Sequence, residues 1–198
     1  MEDIFMENKK LFSAKTAAVI VLGSAVMFTL MRFAAIPSGI PDTTFNPAPA
    51  VVSVLAVLFG PIAGFFIAFI GHTLTDLSWG SLWWSWIIAD AFYGLLSGLS
   101  WKRYRVDEGI FDVRSFLLFN GVQIAANAIA WGGIAPVLDV IIYRESLDTP
   151  FLQGLVAGGL NSLVVLVLGS LLMFGYSKTR VKTRGLNMEQ SADKKRHT

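Results

Sequence analysis

Trp83, Trp86, Asp90 and Tyr93 recur at i, i+3, i+7 and i+10, the spacing of one stripe along an α-helix. Gln123, Asn127 and Trp131 form a second stripe at i, i+4 and i+8. His72 and Asp76 stand one helical turn apart, and Gln153 and Asn161 lie on the last apolar segment. Aromatic planes with a few amides and carboxylates suit recognition rather than bond breaking. Ring faces stack on a flat, heteroatom-rich ring at low entropic cost, and the amides select by donor and acceptor pattern. Each group also has a structural use. Trp79, Trp83, Trp84 and Trp86 fit an interfacial aromatic belt, and His72 with Asp76 fits a satisfied internal pair. Amides on a membrane helix often bond a neighbouring helix for about 1 kcal/mol.

Catalytic signatures are missing. There are no cysteines, which excludes disulfides, cysteine metal sites and thiol nucleophiles. One His and one Asp are too few ligands for a metal. No Gly-Lys-Ser/Thr phosphate loop occurs, so the chain does not hydrolyse ATP by that route. His-Glu-x-x-His and Gly-x-Ser-x-Gly are absent too. Asp76 and Asp90 are the one aspartate pair arguable for proteolysis, and neither sits in a supporting motif. Neither the repeated lining of a channel nor the internal repeats of a secondary transporter is visible. A net charge of +2 gives no support to nucleic-acid binding. The expectation is a binding protein with no catalytic residue, no metal and no cofactor of its own. A self-sufficient facilitator or ion-coupled carrier is the alternative.

The elements that carry these residues are membrane helices. Apolar residues make up 54% of the 198 positions and charged residues 15%, with mean hydropathy +0.59. Soluble domains carry about 25% charged residues. A crossing helix needs about 20 apolar residues. The spans read as Ala14 to Ile36, Pro47 to Phe59, Pro61 to Leu77, Leu82 to Trp101, Ser115 to Tyr143 and Phe151 to Tyr176. Gly60-Pro61 breaks the second from the third, and the second is short enough that a re-entrant pair is an alternative. No small-residue cleavage site follows the first span, so it reads as a retained helix. The expected fold class is an all-α membrane protein, a six-helix bundle with both termini cytoplasmic. Residues 1–13 form an N-terminal segment, 14–178 the membrane domain and 179–198 a basic tail.

Charge sidedness supports that count. Six crossings put Lys9, Lys10, Lys15, Lys102, Arg103, Arg105 and Arg114 on one side. Lys178, Arg180, Lys182, Arg184, Lys194, Lys195 and Arg196 join them, leaving Arg32 and Arg144 for the other. The positive-inside rule makes the basic side cytoplasmic. His72, Asp76, Asp90, Asp139, Gln153 and Asn161 then fall in the outer halves of their helices. Ionisable residues within a membrane are functional candidates, and this depth describes a pocket open to the exterior. Ala14 and Ala18 form a small-xxx-small pair at the cytoplasmic end of the first helix. Gly60/Gly64, Gly94/Gly98 and Gly154/Gly158 repeat that spacing, which lets helices approach closely.

Several segments carry a family likeness. They are Ile36-Pro-Ser-Gly-Ile-Pro41, Phe59-Gly-Pro-Ile-Ala-Gly64, Gly71-His72, Trp83-Trp84-Ser85-Trp86, Asn120 to Trp131, Phe151-Leu-Gln-Gly154 and Asn161-Ser162. In that order, from the first helix to the last, they resemble the S component of energy-coupling factor (ECF) transporters, riboflavin-type group. The resemblance implies a multi-pass subunit of the bacterial cell membrane that binds a vitamin on its outer side. It also implies a T-type membrane partner and two ATPase subunits, which bind the ATP. Ala14 and Ala18 match the family's docking surface for the T subunit, and the loop from Ile36 to Asn46 matches its substrate lid. The cargo by group label is riboflavin. Asp42 stands in that loop where an amide is usual and Asn46-Pro-Ala-Pro49 follows, so a corrinoid is the competing cargo. Asp42 joins the candidate binding residues on this ground.

Overall fold

The computed structural model describes residues 13–180. The expected N-terminal segment up to residue 12 and the basic tail from residue 181 lie outside the described residues. Helix α1 runs Ala14–Phe33. Ser13 caps it, its Oγ accepting the Thr16 N–H at 3.1 Å, as short hydroxyl side chains do at helix starts. The helix stops at Phe33 rather than Ile36. Pro37 brings no N–H and disfavours helical geometry in the residue before it. The chain instead makes a small hairpin, β1 (Ile36–Pro37) against β2 (Thr44–Phe45), antiparallel with Ile36 opposite Phe45. The all-α expectation omits this element.

Helices α2 (Ala48–Phe59) and α3 (Pro61–Trp79) are joined by Gly60 alone, at φ 95°. Glycine enters that region without a Cβ penalty, and Pro61 opens α3 where its missing N–H is no loss. Helix α4 is Trp84–Gly98. It begins later than Leu82 because two backbone donors are engaged elsewhere. The Trp83 N–H donates to Asp76 Oδ2 and the Trp84 N–H to Tyr143 Oη, both at 2.8 Å. Two short 3₁₀ turns, Trp101–Arg103 and Val106–Glu108, lead to α5, a rod over Val113–Tyr143. Asp112 caps α5 by accepting the Ser115 N–H at 2.9 Å, and that bond holds its carboxyl below the ordinary carboxylate range. Helix α6 runs Asp148–Arg180. It starts before Phe151, with Pro150 accommodated in its first turn. Both long rods contain π-helical turns: Ala130–Ile134 and Asp139–Tyr143 in α5, Val165–Gly169 in α6.

Among the described residues, α1, α3, α5 and α6 are long and apolar enough to cross a membrane. Helices α2, with 12 residues, and α4, with 15, are about 18 and 22 Å long at 1.5 Å per residue. Much of α2 is interior: Ala48, Ala50, Val52 and Ala56 are no more than 1% exposed. Apolar residues cover the outside, with Val21, Leu22, Leu155 and Val167 each at least 60% exposed. Lipid tolerates such a surface and water does not. Helices α3 and α4 approach closely where Gly64 and Gly94 lie back to back, and a Cβ on either would overlap the other's carbonyl. Polar contacts tie α5 to α6: Asn120 Nδ2 donates to Ser170 Oγ at 3.0 Å, and Gln123 Nε2 to the Ser162 carbonyl at 3.2 Å.

All the turns fall at two poles. The terminal pole holds the start of α1, Gly60, the loop between α4 and α5, and the end of α6. It carries Lys15, Lys102, Arg103, Arg105, Arg114, Lys178 and Arg180. The opposite pole holds the hairpin and the α3–α4 and α5–α6 junctions, with Arg32 and Arg144 as its basic residues among those described.

Candidate ligand-binding site

A cavity of about 480 Å³ opens at the pole opposite the termini. The size suits a small molecule. The hairpin roofs this end. The hairpin supplies Asp42, Thr43, Thr44 and Asn46. Asp42 adopts φ 54°, a left-handed geometry that Asp tolerates better than most residues. Gln153 on α6 fastens the roof, its Nε2 donating to the Pro41 carbonyl at 3.0 Å.

One wall is acidic. His72 sits between two carboxylates, with Nδ1 donating to Asp90 Oδ2 at 2.6 Å and Nε2 3.5 Å from Asp76 Oδ1. Asp76 also accepts the Trp83 N–H, so α3 and α4 are locked together beside the cavity. The sequence suggests the pairing of His72 with Asp76. The tighter partner is Asp90, 18 residues away, which no local spacing reveals.

The other wall is aromatic, and one buried carboxylate orients it. Asp139 on α5 is 1% exposed. It accepts Trp83 Nε1 at 2.7 Å, Trp86 Nε1 at 2.8 Å and the Ser85 hydroxyl. Three donors satisfy a charge that would otherwise be costly to bury. Trp83 stacks on Tyr143 with centroids 4.6 Å apart, and Trp86 meets Trp131 edge to face at 5.2 Å. Trp131 and Asp139 both belong to π turns, which recur at functional sites. Gly154 permits this: its bare Cα lies against the Trp131 carbonyl, where a Cβ would overlap the oxygen.

Of the candidate residues, Trp83, Trp86, Asp90, Trp131, His72, Asp76, Gln153, Asn161 and Asp42 line this one cavity. Tyr93, Gln123 and Asn127 do not. Tyr93 continues the α4 stripe inward, where its hydroxyl bonds Ser53 and donates to the Pro49 carbonyl at 3.2 Å. Asn127 Nδ2 turns back to the carbonyl and the Oε1 of Gln123, each at 3.0 Å. These three belong to the packed layer beneath the cavity. Met27 and Met31 of α1, and Pro49 and Val52 of α2, also line it. Nothing in their types marks them among other apolar helix residues. Ala14 and Ala18, at the far pole, are exposed on α1. Among the described residues no group of His, Cys, Asp and Glu could hold a metal.

A family model described as "ECF-type riboflavin transporter, S component" matches residues 11–178. A "UPF0397 protein" of Clostridium perfringens is 44% identical, over 93% of this chain and 100% of its own length. A protein of the same name from Lacticaseibacillus casei is 39% identical over the same shares. One from an Exiguobacterium species is 45% identical over 90% of this chain and 98% of its own.

Proposed function

Because this chain belongs to the family of ECF-type riboflavin transporter S components, we propose that it captures a vitamin outside the cell and hands it inward. Membership makes it a substrate-binding membrane subunit rather than an enzyme, and implies T-type and ATPase partners in general. The observation that carries the proposal is the placement of the cavity. It opens at the pole opposite seven of the nine described basic residues, which by the positive-inside rule is the outer face. In this reading residues 14–178 form one membrane domain crossing six times, the short α2 and α4 included, with both termini in the cytoplasm. The hairpin is the lid. Ala14 and Ala18, exposed near the cytoplasmic end of α1, are the docking surface for the T subunit.

The family's description names riboflavin, and a cavity of about 480 Å³ favours a flavin-sized cargo over a corrinoid, which is far larger. The test is mass spectrometry of small molecules retained by chain purified from vitamin-rich medium. A single retained vitamin, lost in Trp86→Ala, is the expected result. A folded chain that retains none overturns the proposal.

A further inference from the structure

We infer that the packed layer beneath the cavity binds one O–H group, from a water or from the cargo, between the Trp131 indole and the Asn127 amide. The buried amides of α5 form a series with one direction. Asn120 Nδ2 donates to Ser170 Oγ at 3.0 Å, Gln123 Nε2 to Asn120 Oδ1 at 3.4 Å, and Asn127 Nδ2 to Gln123 Oε1 at 3.0 Å. Along this series protons are given toward the terminal pole and accepted from the side of the cavity. The Asn127 amide is fixed in that sense. Turned over, its oxygen would face two acceptors, the carbonyl and Oε1 of Gln123. The series therefore ends on an acceptor, Asn127 Oδ1, which meets no donor among the described residues.

Trp131 is the next residue of the same stripe, and its Nε1–H meets no acceptor among them. Asn127 is 1% exposed and Trp131 4%, and burial without a partner is costly for a donor or an acceptor. Neighbouring hydroxyls do not supply the bond. Tyr93, beside Asn127, gives its proton to the Pro49 carbonyl at 3.2 Å. Ser97, whose Oγ is also unpartnered, can turn its proton to the carbonyl one turn back, as serines in helices do. An indole and a fixed amide have no such freedom. One donor and one acceptor a turn apart require a group that accepts from the first and donates to the second. A hydroxyl or a water does both at a single atom, whereas a carbonyl, an ether or an ammonium does only one. The consequence is positional. Asp139 holds the N–H groups of Trp83 and Trp86; the O–H group holds that of Trp131 and ties this indole, through the amides, to α6.

The full chain, with isotope-labelled indole nitrogens, is read by NMR in lipid nanodiscs, first without ligand and then with riboflavin. Of its six tryptophans, Trp131 gives the signal lost in Trp131→Phe. The expected result is a cross-peak from the Trp131 N–H to a slowly exchanging water in the ligand-free chain, and loss of that cross-peak in Asn127→Leu. Its replacement, on adding riboflavin, by a cross-peak to the vitamin's hydroxylated side chain assigns the same site to the cargo's own O–H. A Trp131 N–H that contacts neither, with or without riboflavin, overturns the inference. So does a water contact that survives Asn127→Leu, because that water does not lie between the two groups. The cross-peak is read on the unsubstituted chain, so the test stands even where Asn127→Leu fails to fold. Failure of riboflavin to bind bears on the capture role and leaves the ligand-free reading to decide this one.

Discussion

Asp139 organises the aromatic wall without lining the cavity, because it holds two indole N–H groups and one hydroxyl at once. Hydrogen bonds to a charged group contribute about 1.5–3 kcal/mol each. Asp139→Leu should therefore lower stability by about 3 kcal/mol or more, measured by thermal unfolding in detergent, with a shift in tryptophan emission. Trp86→Ala should weaken ligand retention, whereas Asn127→Ala should act mainly through folding. Titration of both variants beside their melting curves separates the two effects. The α4 stripe is legible in sequence because helical periodicity puts Trp83, Trp86 and Asp90 on one face. That same periodicity cannot say where a cavity ends, which is why Tyr93 sits below it. Met27 and Met31 are illegible for a different reason: an apolar residue facing a cavity looks like one facing lipid.

Two close approaches set the cavity's shape at the level of elements. Gly154 lets α6 touch the carbonyl of the π turn at Trp131. A larger residue there must push the helices apart, and overpacking of this kind costs about 1–3 kcal/mol. Gly154→Val should lower both melting temperature and ligand retention, while a change at exposed Gly121, whose Cβ would meet nothing, should do neither. The roof depends on one hydrogen bond to α6. Gln153→Ala should speed ligand release a few-fold with little effect on stability, as stopped-flow fluorescence would show, since one such bond contributes about 1 kcal/mol. Helix existence is legible from apolar runs and from the Gly60-Pro61 break. The hairpin is not, because two-residue strands are too short to show alternation. Nor are the π turns, since Ala130–Ile134, Asp139–Tyr143 and Val165–Gly169 share no local sequence pattern.

The molecule as a whole separates a polar, acidic pole from a basic one across an apolar belt. That division is readable in the sequence as the distribution of Lys and Arg, and the folded chain gathers the charges accordingly. It gives the proposed cycle its two surfaces, a cavity for cargo and the exposed face of α1 for a partner. Ala18→Trp should leave ligand retention intact and abolish uptake by the assembled transporter; unchanged uptake would move the docking face elsewhere. The most direct measurement of the central claim is uptake of the retained vitamin into sealed vesicles carrying this chain, with and without the T-type and ATPase subunits. The expected result is binding without accumulation for the chain alone, and ATP-dependent accumulation once the partners are present. Accumulation by the chain alone, driven by an ion gradient or running down the vitamin's own gradient, would contradict it.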